Sequence, residues 1–360
     1  MTMATALEAS WAMIDEIAGP DSIDAAKARA LMVGYDARWK DAGYATISTE
    51  EEFRLPIVNP ASGRSSQLFQ QGGKFDGIIE RDGRHFLLEH KTAGEEIRDR
   101  SSPYWRRLAI DSQVSMYVLA NWQAERKLDG TIYDVIRKPA TNPVNLAPGK
   151  MKAKAVTLEQ SFGTIREMKE FGSYYGVKQD ERVIWDVLEQ LDRGSKPRES
   201  AFMYQCRLIS VIGSDLNKYY QRQMVPRLDH EILEFANELW QVAKDINEAR
   251  KHQRWYRNSD ACMSWNTPCE YLGICSDHDS VDSEKWDRAD SVHPELGLED
   301  RGADLITNSR VKCFQTCRRK HFYRYEIGLK KRDQEDRHAL WFGSLMHEAL
   351  RTWFDCFRKE

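Results

Sequence analysis

The chain has 360 residues and a net charge of −3, and its 41% hydrophobic and 30% charged residues exclude a disordered or fibrous protein. No apolar run reaches the roughly 20 residues that a membrane-spanning helix needs, and the first residues lack the basic and apolar regions of a secretory signal. The seven cysteines are an odd number without an export signal, which argues against a disulfide framework. We therefore expect an intracellular, cytoplasmic protein without membrane association, in which clustered cysteines indicate a metal.

The first 140 residues predict two helices followed by a β-region. Apolar residues recur at helical spacing from Leu7 to Ile17, and Asp21-Ser22 is a capping signal for a second helix that runs to Trp39. Strands are then expected within residues 52–88, separated by turns at 59–63 and 81–83. A helix is predicted from Tyr104 to Leu128, and a strand from Gly130 to Ile136.

The rest of the chain is predicted to be mostly helical. Residues 140–156 have the composition of a loop, and 157–256 have helical periodicity with one short strand at 219–225. A helix is expected from Phe342 onward. We expect an α/β (α+β) fold with a central mixed sheet flanked by helices and a large helical portion.

Three sequence regions define the predicted domain organisation. Residues 1–282 form the core with its three-cysteine segment, and 283–304 are polar and acidic, as in a linker. Residues 305–360 then carry alternating aromatic and basic residues and a terminal helix.

Two carboxylates and a lysine follow the predicted strands. Asp76 lies in Lys-Phe-Asp-Gly, and Glu89 and Lys91 lie in Leu-Leu-Glu-His-Lys. Strand pairing would bring Asp76 beside Glu89, and the spacing of two residues puts Glu89 and Lys91 on one face while His90 points to the other. Two oxygen ligands beside an ammonium suit a divalent cation such as Mg²⁺ acting on a phosphodiester, with Lys91 stabilising the developing charge.

The competing interpretation is a solvated hairpin with charged side chains on its open face. For so short a pattern, that interpretation is favoured by roughly three to one. The apolar run 86–88 favours the functional interpretation, because it places Glu89 at the end of a buried strand, where a carboxylate needs a partner. Gln113 and Tyr117 share one helix face through their spacing of four, although alone they indicate a core Tyr and an exposed Gln.

Three cysteines lie within fourteen residues. Cys262, Cys269 and Cys275 read Cys-x₆-Cys-x₅-Cys, which does not match the two-residue spacing of common zinc modules. A metal site is still favoured over three unrelated core thiols, and thiolates select zinc or an iron–sulfur cluster, for which four cysteines are usual. The pattern leaves the fourth ligand open among Cys206, Cys313, Cys317 and Cys356.

The segment 301–332 is strongly basic. It carries ten Lys or Arg residues against two acidic ones, a local charge of +8. Interleaved cations and aromatic rings are typical of nucleic-acid surfaces and equally of a solvated helix with a buried aromatic stripe. The predicted DNA-binding residues are Arg318, Arg319, Lys320, Tyr323, Lys330 and Lys331. His347 follows on a helix with apolar neighbours, where a core histidine is more usual than a ligand.

Together these motifs resemble the PD-(D/E)xK nuclease superfamily, and most closely its RecB-like branch that carries an iron–sulfur cluster, as in AddB-like and phage exonuclease-like proteins. The resemblance covers about residues 50–140, 200–280 and 305–360, and it includes a Gly-x-x-x-His helix at Gly343 to His347. It implies a restriction-endonuclease-like fold in which the iron–sulfur cluster cross-links one terminus to the rest of the domain. The catalytic residues that it implies are Asp76, Glu89, Lys91, Gln113, Tyr117 and His347.

The resemblance also implies two cofactors. Mg²⁺ or Mn²⁺ would be held by His347, Asp76, Glu89 and the backbone carbonyl of His90. A structural [4Fe–4S] cluster, with Zn²⁺ as the alternative, would be held by Cys317, Cys262, Cys269 and Cys275.

The motif order departs from that of the family, in which the Cys-Arg-Arg-Lys segment and the histidine helix come first. Here residues 305–360 come last, which is the order expected of a circular permutation with residues 1 and 360 close together. The rival interpretation is that this segment begins a truncated second copy, or completes the site of a neighbouring chain by swapping.

We therefore expect a metal-dependent deoxyribonuclease, more specifically an exonuclease, in DNA recombination, repair or phage DNA processing. Gln113 and Tyr117 would position the DNA strand. DNA is the expected partner, with a helicase or single-strand annealing protein as a further one. The alternatives are a catalytically inactive iron–sulfur or zinc-stabilised nucleic-acid-binding protein and a zinc-stabilised helical protein without a DNA role.

Overall fold

A computed structural model gives the fold, and it describes residues 3–144, 201–264, 267–294, 296, 303–332 and 338–358. No helix among these residues is both long and apolar enough to cross a membrane. The helices are α1 (Met3–Ala18), α2 (Ile23–Trp39), α3 (Pro103–Ala109), α4 (Ser112–Gln123), α5 (Ala201–Gly213), α6 (Leu216–Tyr219), α7 (Asp229–His252), α8 (Leu272–Cys275), α9 (Asn308–Thr316), α10 (Arg318–His321) and α11 (His338–Asp355), with a 3-10 turn at Ser259–Ala261 and a π-helix at Phe322–Glu326.

A mixed sheet forms the centre of the described fold. The strands are β1 (Ala45–Val58), β2 (Ser65–Arg81), β3 (Arg84–Ala93), β4 (Gly130–Arg137), β5 (Tyr220–Val225), β6 (Met263–Ser264), β7 (Thr267–Pro268), β8 (Trp286–Arg288), β9 (Asp304–Ile306) and β10 (Leu329–Lys331). The strand order of the sheet is β1-β2-β3-β4-β5, and β9 pairs in parallel with the first part of β2. β3 and β4 are parallel, whereas β1–β2, β2–β3 and β4–β5 are antiparallel. This mixed sheet with its helices confirms the predicted α/β class and is consistent with a restriction-endonuclease-like fold.

Hydrophobic layers cover both faces of the sheet. Leu87 belongs to the core that contains α4 and α7, whereas Phe86 and Leu88 belong to the core that contains α1, α2, α5 and α11. Successive side chains of a strand point to opposite faces, so a strand covered on both sides needs a continuous apolar run. The run 86–88 is therefore buried throughout and leads into Glu89, as predicted.

Turn chemistry fixes the hairpin that joins β2 to β3. Asp82 and Gly83 both adopt positive φ, at 54° and 74°. Two consecutive residues in this conformation are the requirement of a type I′ turn, and Asp-Gly is one of its preferred sequences. The predicted turn at 81–83 is confirmed, and with it the antiparallel register in which Gly77 faces Leu88.

One predicted helix differs from the structure. The single helix expected from Tyr104 to Leu128 is instead α3 and α4, because the Asp111 side chain caps α4 by accepting a hydrogen bond from the Gln113 amide. The Arg227 guanidinium further binds the backbone carbonyls of Leu108 and Asp111. In the predicted helical region, the part before residue 201 lies outside the described residues, as does 145–156 of the predicted loop.

The carboxy-terminal segment is built into the fold rather than appended to it. β9 extends the main sheet, and Ser10 on α1 donates a hydrogen bond to the Ala349 carbonyl on α11. Within the predicted linker 283–304, residues 286–288 form β8, which pairs with β10, and Trp286 is buried. That part of the segment is therefore structured.

Candidate active site

The β2–β3 hairpin brings the two predicted carboxylates together. Its ladder pairs Gly77 with Leu88, so that Asp76 and Glu89 follow side by side. The backbone N–H of His90 donates a hydrogen bond of 2.7 Å to Asp76 Oδ2. Glu89 is almost fully buried, at 1% exposure.

Lys91 lies on the same side of β3 as Glu89, as the spacing of two predicts. Its Nζ atom is 2.5 Å from Glu89 Oε1 and 3.0 Å from Gln113 Oε1. The Gln113 amide in turn donates to the Tyr117 hydroxyl at 2.8 Å. Gln113 on α4 therefore contacts the lysine directly and Tyr117 contacts Gln113, an arrangement that can fix the ammonium group.

His347 reaches this cluster from α11. Its Nδ1 atom is 3.6 Å from Asp76 Oδ1. The helix runs close to β3 at Gly343. A Cβ atom at this position would lie 3.5 Å from Thr92 Oγ1, which is an ordinary contact distance. Long-range packing thus joins the Gly-x-x-x-His helix to the strands that carry the acidic residues.

The four ionisable groups shift one another's pKa values. Burial opposes ionisation of Asp76, but the adjacent His347, together with the charges of His90 and Lys91, outweighs it and lowers the pKa of Asp76 to about 2. Burial and the charge of Asp76 raise the pKa of Glu89 to about 7, against the opposing effect of Lys91. The pKa values of Lys91 and His347 are raised because their acidic neighbours outweigh burial. Acidic groups with pKa values driven apart are typical of functional sites.

The helix that supplies His347 lies in the part of the chain that matches a protein-family model. Residues 306–360 match the model of the PD-(D/E)XK nuclease superfamily. This match suggests a nuclease. It covers a small part of the chain, which includes Cys317 and His347. No curated protein and no solved structure matched the chain.

Nucleases of this superfamily generally use Mg²⁺ or Mn²⁺, and the side chains of this cluster carry the types of donor atom that such a cation binds. Glu89 Oε2 is buried without a hydrogen-bond partner among the residues that the structure describes. Carboxylate oxygens beside an imidazole nitrogen are suitable ligands for Mg²⁺ or Mn²⁺. One oxygen of Asp76 and one of Glu89 are hydrogen-bonded within the protein. As they stand, the described side chains include no group of three or more His, Cys, Asp or Glu that could hold a metal ion.

The four cysteines that the resemblance implies as cluster ligands lie in one neighbourhood. The Asn258 amide is 3.5 Å from Cys317 Sγ, and the Cys269 amide donates to the Cys262 carbonyl at 2.8 Å. Burial raises the pKa of Cys275, and the other three thiols add to this effect, so all four are close enough to interact. Each is a free, half-buried thiol.

The basic residues of the matched segment differ in their surroundings. Arg319 donates to the Trp255 carbonyl at 2.7 Å, and Lys320 lies 3.3 Å from Glu270. These two cations are half-buried, whereas Lys330–Lys331 on β10 are exposed. The exposed pair is the better placed to meet a phosphate backbone.

Two tyrosines near the basic residues differ in their exposure. Tyr323 is buried at 6% exposure against Tyr271, which excludes its ring from a DNA-contacting surface. Tyr256 is 59% exposed, and the Arg318 guanidinium lies 4.7 Å from its ring centre. Arg318 also pairs with Asp245 at 3.2 Å. The run Arg-Trp-Tyr-Arg around Tyr256 is the sequence signal for this surface ring.

Asp134 is a further residue that the motif patterns do not single out. It is fully buried in β4, and its Oδ2 atom is 3.2 Å from His90 Nδ1. The sequence indicates this residue because it is the one acidic residue inside the apolar run 132–136, and a buried carboxylate needs partners.

Proposed function

We propose that the chain is a metal-dependent nuclease that hydrolyses phosphodiester bonds in DNA, and more specifically an exonuclease. The observation that carries this proposal is the gathering of Asp76, Glu89, Lys91 and His347 from a hairpin and a distant helix. The superfamily match of residues 306–360 supports it from a separate source. The resemblance to the RecB-like branch favours an exonuclease over an endonuclease.

In this proposal, Asp76, Glu89, His347 and the backbone carbonyl of His90 would hold Mg²⁺ or Mn²⁺. A bound divalent cation would supply Lewis-acid activation of water and of the phosphate. Glu89 Oε2 is a free ligand atom for this purpose. Asp76 is oriented for the same task by the His90 amide.

Lys91 would stabilise the negative charge that develops on the phosphate. A cation fixed before the reaction is effective because it costs no reorganisation in the transition state. Glu89 and Gln113 both accept hydrogen bonds from its ammonium group. Tyr117 holds Gln113, so we assign both α4 residues to orienting Lys91 in addition to any contact with the DNA strand.

The test is digestion of end-labelled linear and closed circular DNA, single- and double-stranded, with Mg²⁺, Mn²⁺ or EDTA. We expect metal-dependent loss of linear DNA from an end and survival of circular DNA. Lys91→Ala should abolish cleavage, and Lys127→Ala, which removes an exposed lysine, should not. A folded protein that leaves all substrates intact, or that cleaves without Lys91, would refute the proposal. DNA binding without cleavage would favour the inactive binding protein.

We also propose that Cys262, Cys269, Cys275 and Cys317 hold a structural [4Fe–4S] cluster. The proximity of the thiols supports it, since the backbone of Asn258 contacts both Cys317 Sγ and Cys262 Sγ. Anaerobically purified protein should be brown with about four irons per chain, and Cys262→Ser should lose both colour and iron. Stoichiometric zinc in a colourless protein would instead favour the zinc alternative.

Residues 305–358 complete the nuclease domain in permuted order in this proposal. The packing of α1 on α11 and the pairing of β9 with β2 support it. A rearranged gene that places 305–360 before residue 1 should encode an active monomer. Activity that needs mixing of two differently inactivated chains would favour the swapped alternative. A role in recombination, repair or phage DNA processing, with a helicase or annealing partner, stays a prediction from the resemblance.

The proposed DNA-contacting surface consists of five basic residues and one aromatic ring: Arg318, Arg319, Lys320, Lys330, Lys331 and Tyr256. Stacking of bases on an exposed aromatic ring binds single strands with little sequence preference, and adjacent cations bind the phosphates. The Arg318–Tyr256 stack offers both contacts.

A further inference from the structure

The side chain of His90 lies on the opposite face of β3 from Glu89 and Lys91. It is 4% exposed, and its Nδ1 atom is 3.2 Å from Asp134 Oδ2. On its other side, the ring packs 5.2 Å from Phe354 of α11, the helix that carries His347. The residue between the two predicted catalytic side chains is thus fixed by its own buried contacts.

A cross-strand row of polar residues continues from His90 through the sheet. The register pairs His90 with Asp134, and Asp134 with Arg222. Arg222 donates to Asp134 Oδ1 at 3.1 Å and to the Tyr35 hydroxyl at 2.8 Å, and Tyr35 donates to Asp134 Oδ2. Asp134 therefore holds three side chains from three different elements.

Stability alone does not account for this row. Burying an ion pair removes two charges from water, and packed hydrophobic residues often serve stability as well or better. Asp134 is completely buried, and the Arg222 guanidinium, which donates to its Oδ1 atom, supplies the cation that a buried carboxylate needs. The network thus places a paired, fully buried carboxylate directly behind the candidate active site.

The backbone of His90 connects this network to the site. Its N–H binds Asp76 Oδ2 at 2.7 Å, and its flanking residues are Glu89 and Lys91. A side chain anchored on one face of a strand fixes the orientation of its peptide groups and of the neighbouring side chains on the other face. Partners behind metal ligands often determine affinity in this way.

We propose that Asp134 is a positioning residue that anchors His90 and thereby orients Asp76 and Glu89 for the divalent cation. This inference rests on the proposed nuclease function. It extends that function to a residue on the far face of the sheet, and it assigns Tyr35 and Arg222 to holding Asp134 in place.

The test is Mn²⁺ binding to DNA-free protein, measured by calorimetry or by the electron paramagnetic resonance of free Mn²⁺. Asp134→Asn keeps the size of the side chain and removes its charge, and we expect its Mn²⁺ affinity to fall about 10- to 100-fold. Ile136→Ala is the control, since it creates a cavity in the same strand without touching His90. We expect its Mn²⁺ affinity to stay within about twofold of the unmodified protein, because it changes only packing.

Nuclease assays on the same variants separate the possible outcomes. For Asp134→Asn, the Mn²⁺ concentration for half-maximal cleavage should rise, with recovery at saturating metal. If the unmodified protein binds Mn²⁺ and cleaves DNA, and Asp134→Asn binds Mn²⁺ equally well, the inference is wrong and the nuclease proposal stands. If the unmodified protein neither binds Mn²⁺ nor cleaves, both are wrong. If Asp134→Asn does not fold, Tyr35→Phe is decisive: a loss of affinity beyond the Ile136→Ala control supports the inference, and unchanged affinity refutes it.

Discussion

Arg310 offers the strongest test of how the matched segment is held in the fold. It is completely buried, and its guanidinium donates to Asp304, to Glu326 and to the Leu305 carbonyl. Its Nε atom lies 3.2 Å from His321 Nε2. The change Arg310→Leu keeps an apolar stem and removes all of these contacts.

The structure sets the expected magnitude. Removing one partner of a buried ion pair usually costs about 3–5 kcal/mol, because the other charge is left without compensation. Arg250 also binds both Asp304 and Glu326, so these acidic groups keep one cation after Arg310 is lost. We therefore expect the lower end of the range, a fall of about 3 kcal/mol in the free energy of unfolding.

Urea denaturation followed by tryptophan fluorescence and circular dichroism measures this loss. Trp255 is a local probe, since its ring stacks 5.7 Å from His321. Arg332→Leu is the matched control, because Arg332 is 55% exposed and pairs with Asp287 at the surface, where such pairs contribute about 0–1 kcal/mol. Equal effects of the two substitutions would refute the argument that the Arg310 network anchors the segment.

The same network predicts a change in pH dependence. Burial opposes ionisation of Asp304, but Arg310 and Arg250 outweigh it and lower its pKa. A carboxyl with a lowered pKa contributes its full stabilisation of the folded state above its unfolded pKa near 4, and this contribution is lost as the pH falls from that value through the lower folded pKa. The stability of Arg310→Leu should therefore depend less on pH between about 5 and 3 than that of the unmodified protein. An unchanged or steeper dependence would contradict the pairing.

Two further predictions concern the site and the DNA surface. Gln113→Leu should lower kcat about 10-fold without weakening DNA binding, since it removes a hydrogen bond to the charged Lys91, and steady-state kinetics at saturating DNA would measure it. A purely structural Gln113 would leave kcat unchanged. Tyr256→Ala should weaken single-strand binding about 5- to 100-fold in fluorescence anisotropy with EDTA, whereas Tyr256→Phe, which keeps the ring, should not. Equal affinities of the two variants would exclude stacking.

Local sequence signals predict the β-hairpin that carries the carboxylates. Asp82-Gly83 specifies the turn, and the apolar run 86–88 specifies a strand buried on both faces. Once this hairpin is paired, the proximity of Asp76 to Glu89 and of Glu89 to Lys91 follows from strand geometry alone. This half of the candidate site is readable because all of its determinants lie within twenty residues.

The other determinants depend on contacts that no local pattern encodes. The position of His347 depends on the packing of α11 against α1 and β3, and only the family resemblance predicts it. The apolar periodicity predicts one helix across residues 104–128, but Asp111 interrupts it. The Asp111 side chain accepts a hydrogen bond from the backbone amide of Gln113 and so begins a new helix, α4. Tyr323 lies in an aromatic-basic run that fits either a surface or a core, and the packing of Tyr271 decides between them.

The two halves of the candidate site differ in how they depend on the rest of the fold. Asp76, Glu89 and Lys91 belong to a hairpin whose register is set by its own turn. His347 is delivered by a helix that reaches the site only if the carboxy-terminal segment docks. Arg250 of α7 binds Asp304 and Glu326, which Arg310 also binds, and β9 pairs with β2, so these contacts hold the segment against α7 and β2. Loss of this docking should therefore separate the histidine from an intact carboxylate pair. Metal binding and DNA cleavage would then be lost while the hairpin keeps its structure, which makes the anchoring of residues 305–358 a requirement for function as well as for stability.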